Sequence, residues 1–146
     1  MSNSRQLCTF YLDQQLLGVD AEIVQEVIRY QAMTSVPRAP ESVTGLINLR
    51  GQIVTAIDLR TRLGCTPRPA EKLPMNVVVR GDDGAVSLLV DQIGDVIEVS
   101  ESQFELPPET LSDATRCLVK GAYKLDGALL LLLNWEVAIQ VNSANN

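Results

Sequence analysis

The chain has 146 residues, 46% of them hydrophobic, which suits one domain or two small packed lobes and excludes a disordered chain. A net charge of −6, with the basic residues dispersed, argues against nucleic acid or an anionic membrane as a partner. The absence of histidine excludes a Ser-His-Asp triad and a phosphohistidine acceptor, and removes the commonest metal ligand.

Met1-Ser2-Asn3-Ser4-Arg5 leads straight into a strand-like segment with no signal-peptide core, so the expected location is the cytoplasm. No apolar run approaches the roughly 20 residues of a membrane span, so direct membrane insertion is not expected. Gln6 to Leu12 is rich in strand formers, Asp13-Gln14 suits a tight turn, and Gln15 to Val19 reads as the returning strand. Asp20 stands where it would cap a helix over Ala21 to Val27, on which Ile23, Val24 and Val27 lie close in angle. Ile28 to Val36 reads as extended until Pro37 and Pro40 force a loop. The β-prone runs from Gly45 to Leu49 and from Gln52 to Leu59 flank Arg50-Gly51, where glycine supplies the positive φ of a tight hairpin. Asp58 is placed to cap a short helix through Leu63, ended by Gly64.

Cys65 to Pro74 contains Pro67, Pro69 and Pro74 and reads as a linker. Beyond it, Met75 to Arg80 and Ala85 to Val90 read as strands around a Gly81-Asp82-Asp83-Gly84 turn. Asp91 to Gly94 bends the chain into another strand, Asp95 to Val99, and polar, proline-broken sequence follows to about Ser112. Cys117 to Lys124 and Ala128 to Leu133 flank Asp126-Gly127, a strong hairpin signal. Asn134 is placed to cap a last short helix, Trp135 to Gln140, and the tail from Asn142 is expected to fray. The repeated hairpins point to an all-β fold of barrels, and the proline-rich linker to two lobes. Leu129 to Leu133 does not alternate, so that strand is expected to be covered on both faces, between the lobes or under a helix.

Few of the reactive groups form a site. Cys8, Cys65 and Cys117 are odd in number and widely spaced, with no CxxC, and read as buried, reduced, inert thiols. Asp82-Asp83 lacks the regularly spaced oxygens of a calcium loop and reads as a turn. Asp91, Asp95 and Glu98 read as a solvated strand face rather than an acid–base pair. Gly51 lies in no phosphate-loop context. Neither a metal nor another cofactor is expected, and no catalytic centre. Glu26 and Arg50 each sit beside apolar residues; a fixed ion pair, a partner-facing role and two unrelated surface charges are all open on composition alone.

Val24-Gln25-Glu26-Val27, the run from Gly45 through Asn48-Leu49-Arg50-Gly51 to Val54, and Ile57-Asp58-Leu59-Arg60 together resemble the CheW family of bacterial chemotaxis adaptors. Leu88-Leu89-Val90-Asp91, Ile93, Asp95-Val96-Ile97, Lys120-Gly121 and Leu125-Asp126-Gly127 extend the resemblance over about residues 6 to 138. It implies two five-stranded SH3-like barrels packed side by side in a single CheW-like domain over 1–146. The lobes are expected at about 13–70 and 71–133, with terminal segments crossing between them. It also implies an adaptor that couples the regulatory domain of a CheA-type histidine kinase to the cytoplasmic tips of chemoreceptors. Carried over by position, Val24, Val27, Ile93 and Val96 match apolar positions of an inter-lobe groove that takes the receptor helices, although they also suit a plain core. Glu26 and Arg50 match a charged pair near that surface, and Gly45, Asn48 and Arg50 lie in the hairpin that affects coupling to kinase and receptor. The chain departs from the family at Asn134, where aspartate is common, and at Ser87, where glycine is common. Three rivals remain: an adaptor of another chemosensory-type pathway such as twitching motility or development, an SH3-like module binding a small ligand or peptide, and an enzyme using carboxylates alone.

Overall fold

A computed structural model describes residues 4–82 and 84–140. Eleven strands form two sheets. In chain order they are β1 (Ser4–Leu12), β2 (Gln15–Asp20), β3 (Val24–Ile28), β4 (Val43–Leu49), β5 (Gln52–Asp58), β6 (Met75–Gly81), β7 (Gly84–Val90), β8 (Gln92–Ser100), β9 (Phe104–Glu105), β10 (Val119–Leu125) and β11 (Ala128–Leu133). Three single-turn helices accompany them: α1 (Leu59–Arg62), α2 (Asp113–Arg116) and α3 (Trp135–Ala138). One sheet has the order β8-β1-β2-β11-β10-β9 and the other β3-β6-β7-β5-β4. Pairing is antiparallel except for β11 with β2 and β5 with β7. The expected all-β class with two lobes is therefore observed. One sheet has six strands rather than five, because the two-residue β9 joins its edge.

The division between the lobes differs from the expected boundary near residue 70. The five-stranded sheet is built from residues 24–90, and the six-stranded sheet from both ends of the chain. The proline-rich stretch 65–74 thus joins α1 to β6 within one lobe. Prolines mark where regular structure stops, but they do not say which sheet the next strand enters.

Local chemistry explains most of the turns. The β4–β5 turn has positive φ at both Arg50 (53°) and Gly51 (84°), as a two-residue hairpin turn of matching twist requires. The Asp58 side chain accepts from the Arg60 backbone N–H at 3.0 Å and so starts α1. Asn134 precedes α3 without a side-chain capping bond, so that part of the expectation is not met. The expected helix over 21–27 is also absent. Only Ala21–Ile23 make a 3-10 turn, Asp20 offers it no side-chain bond, and Val24–Ile28 extend along β6 instead. Val24, Val27 and Ile28 are β-branched, and a neighbouring strand outweighs their weak helical periodicity. The segment expected to be extended through Val36 leaves its strand at Ile28; beyond it only Thr34 bridges to Leu46. The Gly81–Gly84 turn closes the β6–β7 hairpin as expected, with Asp83 outside the described residues, as is the tail from residue 141.

Three apolar clusters fill the molecule. The largest draws Phe10, Leu12, Leu17 and Val19 from one sheet and Val77, Val79, Leu88 and Val90 from the other, with Leu59 and Leu63 around α1. A second, within the six-stranded lobe, holds Leu7, Val99, Tyr123, Leu130 and Leu132. A third, within the five-stranded lobe, holds Ile47, Leu49, Val54 and Val78. Along β11, Leu131 and Leu133 face the shared cluster while Leu130 and Leu132 face the lobe's own. This is the two-sided burial that the leucine run predicts. Among the described residues, no helix is long and apolar enough to cross a membrane.

Candidate functional site

The sequence candidates fall into two groups on the five-stranded lobe and one on the six-stranded lobe. Glu26 lies on β3 and Arg50 at the tip of the β4–β5 hairpin. The Arg50 guanidinium donates through Nη1 to Glu26 Oε2 at 2.6 Å and through Nη2 to Oε1 at 2.7 Å. This forked pair ties the hairpin tip to β3. Its two members differ in exposure: the Arg50 side chain is 76% exposed and that of Glu26 15%. The hydrogen bond to Glu26, helped by its charge and opposed by a slight desolvation, raises the Arg50 pKa above its ordinary value. Asn48 Oδ1 accepts from the Gly51 N–H at 2.9 Å and so holds the turn. Gly45 is buried against the incoming chain, where an added Cβ would lie 2.7 Å from the Thr34 carbonyl oxygen. Arg50 and Asn48 are thus the exposed members of the hairpin group, Asn48 also holding the turn, while the buried Gly45 lets the incoming chain approach.

The four apolar candidates come from different sheets. Val24 and Val27 are on β3, and Ile93 and Val96 on β8. Val24 and Ile93 are half-buried and pack against the same shared cluster. Val27 and Val96 stand out at 37% and 58% exposure. Side chains of this kind, two anchored in the core and two open to solvent, suit a surface that docks a partner's apolar face.

An ion cluster next to β8 was not legible in the sequence. Asp91, read there as part of a solvated face, is the acceptor for Arg60 Nε at 2.9 Å, Arg60 Nη2 at 2.6 Å, Arg68 Nε at 2.9 Å and the Asp13 backbone N–H at 2.5 Å. Arg68 also reaches Asp58 at 3.1 Å, and Arg60 donates to the Thr66 carbonyl at 3.0 Å. The Arg60 and Arg68 side chains are only 8% and 7% exposed. Burial pushes the Asp91 pKa up, but the bonds from Arg60, Asp13 and Arg68 and the charge of Arg60 outweigh it, and the group is lowered from 3.8 to about 2. Asp95 and Glu98 do remain exposed, as expected of a solvated face. The hint in the sequence was Arg60 itself, a charge between Leu59 and Leu63, but nothing in its spacing named a partner 31 residues away.

The thiols are free. Cys8 and Cys65 are half-buried, and desolvation raises both pKa values. Cys117 is exposed, against the expectation of burial, because the chain forms α2 just before it and β10 starts only at Val119. The buried Ser87 hydroxyl donates to Asn76 Oδ1 at 2.7 Å, and Asn76 Nδ2 donates to the Arg29 carbonyl at 2.9 Å. A side chain at position 87 is therefore accommodated by a polar partner on the neighbouring strand.

With this geometry in view, comparison with known proteins gives a family. Residues 6–142 match the family model for the CheW-like domain. The chain belongs to the CheW-like domain family. It is 32% identical over 135 residues to the chemotaxis protein CheW of Thermotoga maritima, covering 92% of this chain and 87% of that one. It is 30% identical over 132 residues to the probable chemotaxis protein CheW of Rhizobium etli, covering 90% and 85%. The crystal structure of the scaffolding protein TtCheW from Thermoanaerobacter tengcongensis matches with a TM-score of 0.83 at 30% identity, covering 95% of this chain and 94% of that one. The two sheets are thus the two SH3-like lobes of a CheW-like domain, and the molecule is a chemotaxis adaptor of the scaffold type. The forked Glu26–Arg50 pair and the apolar residues of β3 and β8 are features of this CheW-like domain's own surface.

Proposed function

We propose that this CheW-like protein is a non-enzymatic coupler that holds the regulatory domain of a CheA-type histidine kinase beside the cytoplasmic tips of chemoreceptors. The observation that carries this reading is the match to a scaffolding protein of the same family over nearly the full length of both chains. The surface supports it. Val27 and Val96 are exposed next to residues anchored in the core, so a docking helix finds apolar contacts on a rigid base. Val27 and Val96 are only partly exposed, so covering what remains of each contributes on the order of 1–2 kcal/mol. Arg50 and Glu26 would add a polar contact and set its register. The protein would act in the cytoplasm, reaching the membrane through its receptor. Its effect on the kinase would be to favour one arrangement of partners rather than to do chemistry.

The test is calorimetric titration with a CheA-type regulatory domain and, separately, with a receptor-tip fragment from the same organism. Saturable binding to both is expected. Val96→Asp should weaken the receptor fragment at least about tenfold, an effect of ~1.4 kcal/mol, while the circular dichroism spectrum is unchanged. A folded wild-type protein that binds neither fragment would remove the coupling role.

A further inference from the structure

The chain passes between the two sheets at few places, and one of them is a single residue wide. β7 ends at Val90 in the five-stranded sheet, β8 begins at Gln92 in the six-stranded sheet, and Asp91 is the whole connection. An earlier passage, from β2 to β3, runs through the short turn at Ala21–Ile23. The candidate docking residues follow directly on these two passages. Val24, Glu26 and Val27 come just after the first, and Ile93 and Val96 just after the second. A partner that touches both β3 and β8 therefore senses how one sheet is set against the other.

Asp91 is held from both sides of this joint. From the five-stranded lobe come Arg60, at α1, and Arg68, in the proline-rich stretch. From the six-stranded lobe come the backbone N–H of Asp13 in the β1–β2 turn and the carbonyl of Tyr11, which accepts from the Asp91 N–H at 3.0 Å. Both carboxylate oxygens are used, each by two donors. The shared apolar cluster also holds the lobes together, but the hydrophobic attraction itself is non-directional. Forked charge-assisted bonds to a carboxylate add direction, because each fixes distance and angle at once.

We propose that Asp91, gripped by Arg60 and Arg68, is the positioning residue that fixes the angle between the two sheets and so aligns the two halves of the receptor-docking surface. The proposal rests on the coupling role argued above. In this reading Asp91 acts on the docking surface through β8.

The experiment measures lobe orientation and docking separately. Residual dipolar couplings of the backbone amides are fitted for each sheet alone, in the wild type, in Asp91→Asn and in Arg68→Gln. In the wild type one alignment tensor should fit both sheets. In Asp91→Asn each sheet should still fit the structure, but the two should no longer share a tensor, and the receptor-tip fragment should bind about tenfold more weakly, a ~1.4 kcal/mol loss. Arg68→Gln keeps the Arg60 and Asp13 bonds and should show a smaller loss of the same kind; it decides the matter alone if Asp91→Asn does not fold. Variants that keep one tensor and wild-type affinity overturn the proposal and leave the coupling role intact. If the wild type itself fails to bind the fragment, the coupling role falls, and the tensors still decide the latch: a common tensor in both variants overturns it.

Discussion

Arg50 shows how a single residue can be well placed and still matter little to folding. Its guanidinium is held by Glu26 yet remains largely in solvent, where water screens the pair and each bond replaces one to water. Removing it should leave the fold alone and remove a contact that faces outward. Arg50→Ala is therefore expected to melt close to the wild type while losing most of its coupling in a reconstituted kinase assay; unfolding of the variant would make the residue structural instead. Asp91 is the opposite case. Its carboxylate is lowered from 3.8 to about 2, so it binds its proton less readily in the folded chain than in the unfolded one. Its ionised form thus stabilises the fold fully above about pH 4, and that contribution is lost as the pH falls toward 2. The difference in urea midpoint between the wild type and Asp91→Asn should shrink between pH 5 and pH 2.5. A difference that stays constant would mean that the network does not depend on the charge of Asp91. The contrast also marks what a sequence can disclose. Glu26 and Arg50 could be singled out because each is a charge within an apolar, motif-bearing run, and the family resemblance implied a charged pair, but the forked geometry needed the fold. Asp91 looked like its neighbours Asp95 and Glu98, and only the arrival of Arg60 and Arg68 from elsewhere sets it apart.

At the scale of elements, the readable ones were those whose signal is local. The Arg50-Gly51 and Asp126-Gly127 turns announce their hairpins because positive φ is required there, and Gly51 and Gly127 both have it. The segment after Asp20 misled because Ile23, Val24 and Val27 satisfy a helical spacing over too few residues to nucleate one, and β6 offered them an edge. β9 was hidden because two residues carry no periodicity, and α2 because its single turn borders the polar, proline-broken stretch ending at Ser112. β9 persists because Phe104 lies over Gly121 and stacks edge-on with Tyr123, its ring centre 5.3 Å away. The leucine run of β11 carries the strongest claim at this scale. In a strand covered on one face, neighbouring residues differ sharply in burial. Leu130 and Leu131 are 0% and 1% exposed, one in the lobe's own cluster and one in the shared cluster. Leu130→Ala and Leu131→Ala should each cost about 2–5 kcal/mol in chemical denaturation. A cost below about 0.5 kcal/mol for either, the level of a surface change, would contradict the two-sided packing.

For the whole molecule, the question is whether two lobes mean two folding units. A chain divided near residue 70 would let each half fold alone. The sheets are instead interleaved in sequence, the six-stranded one taking its strands from residues 4–20 and 92–133 around the 24–90 block of the other. The apolar material is shared in the same sense. Sixteen of the buried described residues lie in the cluster between the lobes, against five and four in the lobes' own clusters. Neither lobe keeps enough of a core by itself to offset the entropy of ordering its chain. Unfolding should therefore be a single cooperative transition. Trp135, on α3 and packed against the shared cluster, reports on the join, and far-ultraviolet circular dichroism reports on both sheets. In urea the two signals should fall together, with one midpoint and one slope. Two separated transitions would mean that the lobes are held by the joint at Asp91 rather than by a common core, and that a partner could shift their angle without unfolding either.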